Sequence, residues 1–150
     1  MKLAEALILR KDLQNRMDIM RERLTMNARV QEGEEPAENP LSLIQEMEEI
    51  SQQLENLITR INLTNAAVTE NGQTISAMLA HRECLKERLS ILESTLSCAN
   101  DLGMRGMRSE VKILSTVPIA QLRKKTDRLS VELRECNTKI QSLNWLTELQ

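Results

Sequence analysis

A chain of 150 residues, 41% hydrophobic and 28% charged, has room for one soluble domain, 1–150, and little for a second core. Trp145 is the one aromatic, and four glycines with three prolines supply too few turns for a sandwich or barrel, so the composition points to long helices. A formal net charge of -2, no aromatic stacking faces and no glycine-rich phosphate loop argue against single-strand nucleic-acid platforms and nucleotide folds.

The first apolar cluster, Leu3 to Leu9, is interrupted by Glu5 and followed by Arg10, Lys11 and Asp12, which reads as neither signal peptide nor membrane anchor. It opens instead a heptad-like helix through Leu3, Ala6, Arg10, Leu13, Met17, Met20 and Leu24. The segment at 32–40 follows, where Gly33 and Pro36 act as breakers and Asn39 with Pro40 supplies an N-cap and a first helical residue. The second helix has an uninterrupted seam of Leu43, Met47, Ile50, Leu54, Leu57 and Ile61, which Ile44 and Ile58 are expected to widen into a bundle face.

Asn71-Gly72, between short β-compatible arms at 67–75, predicts a tight type I′ hairpin, with Thr74 as an alternative cap for the helix beyond. The third helix runs through Ile75, Met78, Arg82, Leu85, Leu89, Leu92 and Leu96. Gly103 and Gly106 then break the pattern, and an extended, β-compatible segment is expected at 108–117. Ser115 or Thr116 with Pro118 is expected to start the fourth helix, which reads Ile119, Leu122, Thr126, Leu129, Leu133, Cys136, Ile140 and Leu143. Four such helices predict an all-α fold, an antiparallel up-down-up-down four-helix bundle with Leu54 and Leu89 in its core.

The search for chemistry is brief. His81 and Cys84 share a helix face at i, i+3, but a metal site or an activated nucleophile needs at least one more group. The acidic segment holding Glu32, Glu34, Glu35 and Glu38 lacks the alternating ligands of a calcium loop, and Glu46, Glu48 and Glu49 lack the histidines of a di-iron bundle. No catalytic residue, metal ligand or cofactor is expected, and the protein reads as a non-enzyme. Cys84, Cys98 and Cys136 form no CxxC pair, and an odd count without an export signal fits a cytoplasmic protein.

Charge is segregated along the chain: eight acids and no base lie between Gln31 and Thr59, against seven bases and two acids from Leu102 to Arg128. Two such blocks can be faces that meet, within a subunit or across a symmetric interface. In a four-helix bundle the loops at 32–40 and 100–117 share an end. Glu32, Glu34, Glu35 and Glu38 with Arg105, Arg108, Val111, Lys112, Ile113 and Leu114 therefore form a candidate assembly surface. Arg10 and Arg82 interrupt their seams one heptad into each helix, and mark a candidate buried polar or anion site. A homo-oligomer, or a complex with another protein, is the expected state; a further alternative is anion or nucleic-acid binding through the basic end. Membrane and nucleic acid are otherwise not expected partners.

Five stretches carry a family resemblance: MKLAEALILRKDLQNRM at 1–17, NARVQEGEEPAENP at 27–40, RINLTNAAV at 60–68, RSEVKILSTV at 108–117 and the closing NWLTEL. They resemble an uncharacterised bacterial helical family, some of whose members are labelled septicolysin, over essentially the whole chain. The resemblance implies a small, cytosolic, mostly helical bacterial protein, with no functional residue to carry over. The label would imply a thiol-dependent, pore-forming cytolysin. This chain departs from that in having no export signal and no amphipathic hairpin approaching the ~9–11 residues per strand of a membrane barrel.

Overall fold

The computed structural model describes residues 1–100 and 113–150. They form a mainly all-α chain with helices α1 (Leu3–Asn27), α2 (Pro40–Ala67), α3 (Ile75–Asn100) and α4 (Ile119–Leu146), and a two-stranded hairpin of β1 (Thr69–Glu70) and β2 (Gln73–Thr74). The chain divides into two compact units, Met1–Thr74 with Leu143–Gln150, and Ile75–Ser142.

In the first unit, α1 starts where the Glu5 carboxylate accepts the Lys2 backbone N–H at 2.7 Å, tying down a donor that a helix end leaves unpaired. α2 starts as its sequence predicts: Asn39 Oδ1 accepts from the N–H groups of Leu41 (2.9 Å) and Ser42 (3.4 Å), with Pro40 at the first helical position. The two helices are antiparallel, because Arg23 late in α1 meets Glu46 early in α2. Their seam buries Leu3, Ala6, Leu13 and Met20 against Leu43, Ile50, Leu57 and Ile61. Met17, Leu24, Met47, Leu54 and Ile58 are half-buried.

Ile44 is a correction: at 43% exposure it does not widen the seam, because it lies about 100° round the helix from Leu43 and falls on the shoulder of the contact. Leu54, expected in the core, is likewise only half-buried.

Between α2 and α3 the hairpin forms as predicted, with Thr69 opposite Thr74 and Glu70 opposite Gln73. Asn71 and Gly72 take φ of 50° and 78°, the left-handed values that a type I′ turn requires of both central residues.

The last residues complete this unit in a way the helix periodicity does not suggest. Leu3 N–H donates to Thr147 O and Leu149 N–H to Met1 O, both at 2.9 Å, forming an antiparallel bridge of Lys2 with Glu148. Gln150 N–H donates to the fully buried Thr64 hydroxyl at 3.0 Å, which in turn donates to the Arg60 carbonyl at 2.9 Å. A buried hydroxyl with both roles filled carries no desolvation penalty of an unpaired group.

In the second unit α3 and α4 run antiparallel, since His81 meets Glu132 and Met78 lies beside Cys136. Ile75, Met78 and Leu85 of α3 and Thr126, Leu129 and Ile140 of α4 are buried. Thr126 is tolerated in the seam because its hydroxyl donates to the Arg123 carbonyl at 2.7 Å. Leu89 is half-buried rather than core, as are Leu92 and Leu96.

Residues 113–116 have no regular secondary structure, and the rest of the expected extended segment, 108–112, lies outside the described residues. Ser115 does not start α4: its hydroxyl accepts the Val117 N–H at 3.3 Å, and the first helical bond is Leu122 N–H to Pro118 O at 3.0 Å. Among the described residues no helix is long and apolar enough to cross a membrane.

Candidate functional site

On the first unit, the outer face of α2 carries polar residues at helical spacing, Gln45, Glu48, Glu49, Gln52, Glu55 and Asn56, all exposed. Where this face turns toward α1 it borders an open groove of about 520 Å³. Leu9, Leu13 and Leu57 form its floor, while Glu49, Gln52 and Asn56 stand on its rim. Two further polar depressions continue along α2, one over Gln45, Glu48 and Ser51 and one over Asn56 and Thr59, with Glu55 and Gln52 shared between them. Arg60 closes the groove at one end, its Nε donating to the Gln150 carbonyl at 2.7 Å.

At the other end of the α1–α2 pair sits an ion cluster. Arg23 Nε donates to Glu38 Oε2 at 3.1 Å, its Nη2 to Glu38 Oε1, and its Nη1 lies 3.2 Å from Glu46 Oε2. This fork holds the Glu38 carboxyl below its ordinary range, chiefly through the hydrogen bonds from Arg23, and the two carboxylates push Arg23 upward. The buried Asn27 side chain donates to the Arg23 carbonyl and accepts the Glu38 N–H, each at 2.9 Å. Gly33, at φ 87°, occupies a turn closed by Glu34 N–H to Gln31 O at 3.0 Å.

The sequence-predicted residues divide accordingly. Glu32, Glu34 and Glu35 are exposed, whereas Glu38 is engaged by Arg23 of its own chain. Ile113 and Leu114 are 48% and 76% exposed, and Arg105, Arg108, Val111 and Lys112 lie outside the described residues. Arg10 is half-buried on α1 of the first unit. In the second unit, Arg82 has its counter-charge next door: Glu83 Oε1 lies 2.8 Å from its Nη2 and 3.0 Å from its Nε, and 3.2 Å from Lys86 Nζ. Arg82 first, then Lys86, holds the Glu83 carboxyl below the usual range.

His81 Nε2 lies 3.1 Å from Glu132 Oε1, both half-exposed, while Cys84 and Cys98 are exposed. Cys136 is half-buried, its Sγ 3.7 Å from the Met78 carbonyl. Among the described residues, no three His, Cys, Asp or Glu side chains converge as a metal site would require. Sequence reasoning missed the groove and Arg23; the alternation of glutamine and glutamate along α2 was the available signal for the first.

These features define a mainly helical protein with a polar-rimmed groove on one helix pair. Residues 10–149 match the family of unknown function DUF6847, and the chain belongs to that family. It is similar throughout to a functionally unknown conserved protein from Corynebacterium diphtheriae, whose crystal structure gives a TM-score of 0.94 at 36% identity, over 100% of this chain and 99% of that one. The chain matches none of the curated proteins.

Proposed function

We propose that this protein is a non-enzymatic, cytoplasmic helical module that acts by binding protein, first of all a second copy of itself. The observation that supports this reading is the α3 seam. Beyond Leu85 the apolar positions Leu89, Leu92 and Leu96 continue in heptad register, yet no described residue from 86 to 100 is buried. Ile91 at 55% and Val131 at 42% exposure add apolar surface on the same helix pair, and Ile113 and Leu114 add more in the segment leading to α4. Apolar surface gathered on a long helix pair marks an interaction site more often than a free face.

Light scattering coupled to gel filtration tests the reading. A discrete oligomer at micromolar concentration is expected, and a monomer throughout overturns self-association. The septicolysin resemblance supports a second reading, membrane perturbation, which predicts dye release from liposomes by the purified protein. Exposed Arg123, Lys124, Lys125 and Arg128 at the start of α4 favour a third, polyanion binding, which predicts retention on nucleic acid that falls steeply with salt.

A further inference from the structure

We propose that Asn71 is a site of spontaneous deamidation and isoaspartate formation, and that opening of the β1–β2 hairpin gates the reaction.

The pair Asn71-Gly72 carries the chemistry. Deamidation begins when the backbone nitrogen of the following residue attacks the asparagine carboxamide, so a side chain on that residue crowds the attack and a glycine leaves it open. Asn71 and Gly72 are both exposed, and a Cβ built at Gly72 would meet no atom within 4 Å, so the turn stands clear of the rest of the chain on that side. Of the ten asparagines in the sequence, Asn71 is the one that precedes a glycine. Asn39 precedes Pro40, whose nitrogen has no proton to give up, and the other eight lie on the helices and precede residues with side chains.

The covalent step needs water and no oxidant or reductant. The Gly72 nitrogen, its proton lost to base, bonds to Asn71 Cγ; the Cγ–Nδ2 bond breaks and ammonia leaves, closing a succinimide ring. Water then opens the ring. Cleavage between the nitrogen and Cγ leaves aspartate with the original backbone, whereas cleavage at the Asn71 carbonyl carbon routes the backbone through the side chain as isoaspartate, one methylene longer.

The fold sets when this happens. A type I′ turn holds its first central residue near φ of about +60° and ψ of about +30°, and Asn71 sits at φ 50°. At that ψ the Gly72 nitrogen points away from the Asn71 side chain, so ring closure requires the peptide between them to swing round and the turn to open. Opening is cheap, because the hairpin consists of two residue pairs, Thr69 with Thr74 and Glu70 with Gln73, and Thr69 and Gln73 are exposed along with the turn itself. The two products then part. Aspartate keeps the turn, since its short polar side chain tolerates the left-handed region. Isoaspartate does not, since the added backbone atom moves Gln73 out of register with Glu70.

Peptide mapping by mass spectrometry tests the site and its gate on the full chain, held at mildly alkaline pH in buffer and in guanidinium chloride. Asn71 is expected to lose its amide before any other asparagine, giving aspartate and isoaspartate together, and the native chain to do so at least about tenfold more slowly than the unfolded one. In guanidinium chloride, where folding is not at issue, Gly72→Ala is expected to slow the loss several-fold. Asn71→Asp, which carries the new charge on the original backbone, should melt with fresh wild type, and the isoaspartyl protein below both. An Asn71 that keeps its amide throughout, or loses it after another asparagine, overturns the site. Aspartate without isoaspartate overturns the succinimide route, and equal rates in the native and unfolded chains overturn the gate.

Discussion

Glu38 and Asn27 are eleven positions apart and hold each other in two ways: the Glu38 N–H donates to Asn27 Oδ1, while the Glu38 carboxylate grips Arg23, whose carbonyl accepts from Asn27 Nδ2. The last turn of α1 and the approach to α2 are thereby closed into one unit. The segment between them needs few contacts of its own, and Glu32, Glu34 and Glu35 remain exposed on it.

Asn27→Ala removes both bonds and leaves a backbone N–H without its partner. A loss of about 1–3 kcal/mol is expected in urea unfolding. Asn39→Ala, which removes an N-cap alone, should cost about 1 kcal/mol. Equal and negligible losses would show that the loop closes by other means.

Acid should weaken the fold through the same cluster. Glu38 in the folded chain titrates below its ordinary value of 4.5, held there by Arg23, and Glu148 is lowered by Lys2 and then by the Met1 amino group. A depressed carboxylate contributes stability that is present above the unfolded value and disappears as the pH falls through the folded one. Arg23 is shifted upward and stays charged throughout. Urea midpoints should therefore hold steady from neutral pH down to about 5 and fall below about 4.5, with a shallower fall in Glu38→Gln.

Gly72→Val tests the turn. A Cβ at Gly72 would meet no atom within 4 Å, so the whole cost comes from holding a β-branched residue at φ 78°. A loss on the order of 1 kcal/mol or more is expected. An unchanged melting temperature would mean that the hairpin contributes nothing to the cooperative unit.

Burial ranks the leucines. Leu57 and Leu85, at 5% and 1% exposure, should each lose about 2–5 kcal/mol on replacement by alanine. Leu54 and Leu89 share their heptad seams but are half-buried, and should lose less in the monomer. A Leu89→Ala loss that grows with protein concentration would place Leu89 in an interface.

What could be read from the chain alone follows the range of the interactions. The α2 start at Asn39-Pro40 and the turn at Asn71-Gly72 were legible because the signal lies within two or three adjacent residues. The seams were legible because helical periodicity repeats over 25 to 28 residues. Arg23 and Glu38 were not, since one lies on α1, the other across a loop from it, and neither breaks a pattern. The bridge of Lys2 with Glu148 left no trace either, because one residue on each side has no period to detect. Ile44 misled because hydrophobicity at i and i+1 looks like a broad face, whereas the contact itself is narrow. The candidate assembly surface was read from charge, which sequence shows plainly, and four of its ten residues, at positions 105–112, lie outside the described residues.

The first unit is interrupted in sequence: residues 75–142 are spoken for elsewhere before Leu143–Gln150 return to it. Synthesis runs in chain order, so α1 and α2 are made before Glu148, which bridges Lys2, and before the Gln150 N–H that Thr64 accepts. At ~5–20 residues per second the early helix pair waits several seconds for its closing piece. In that interval Thr64 and the edge at Lys2 are open, and the unit is sealed only after residues 75–142 have been made.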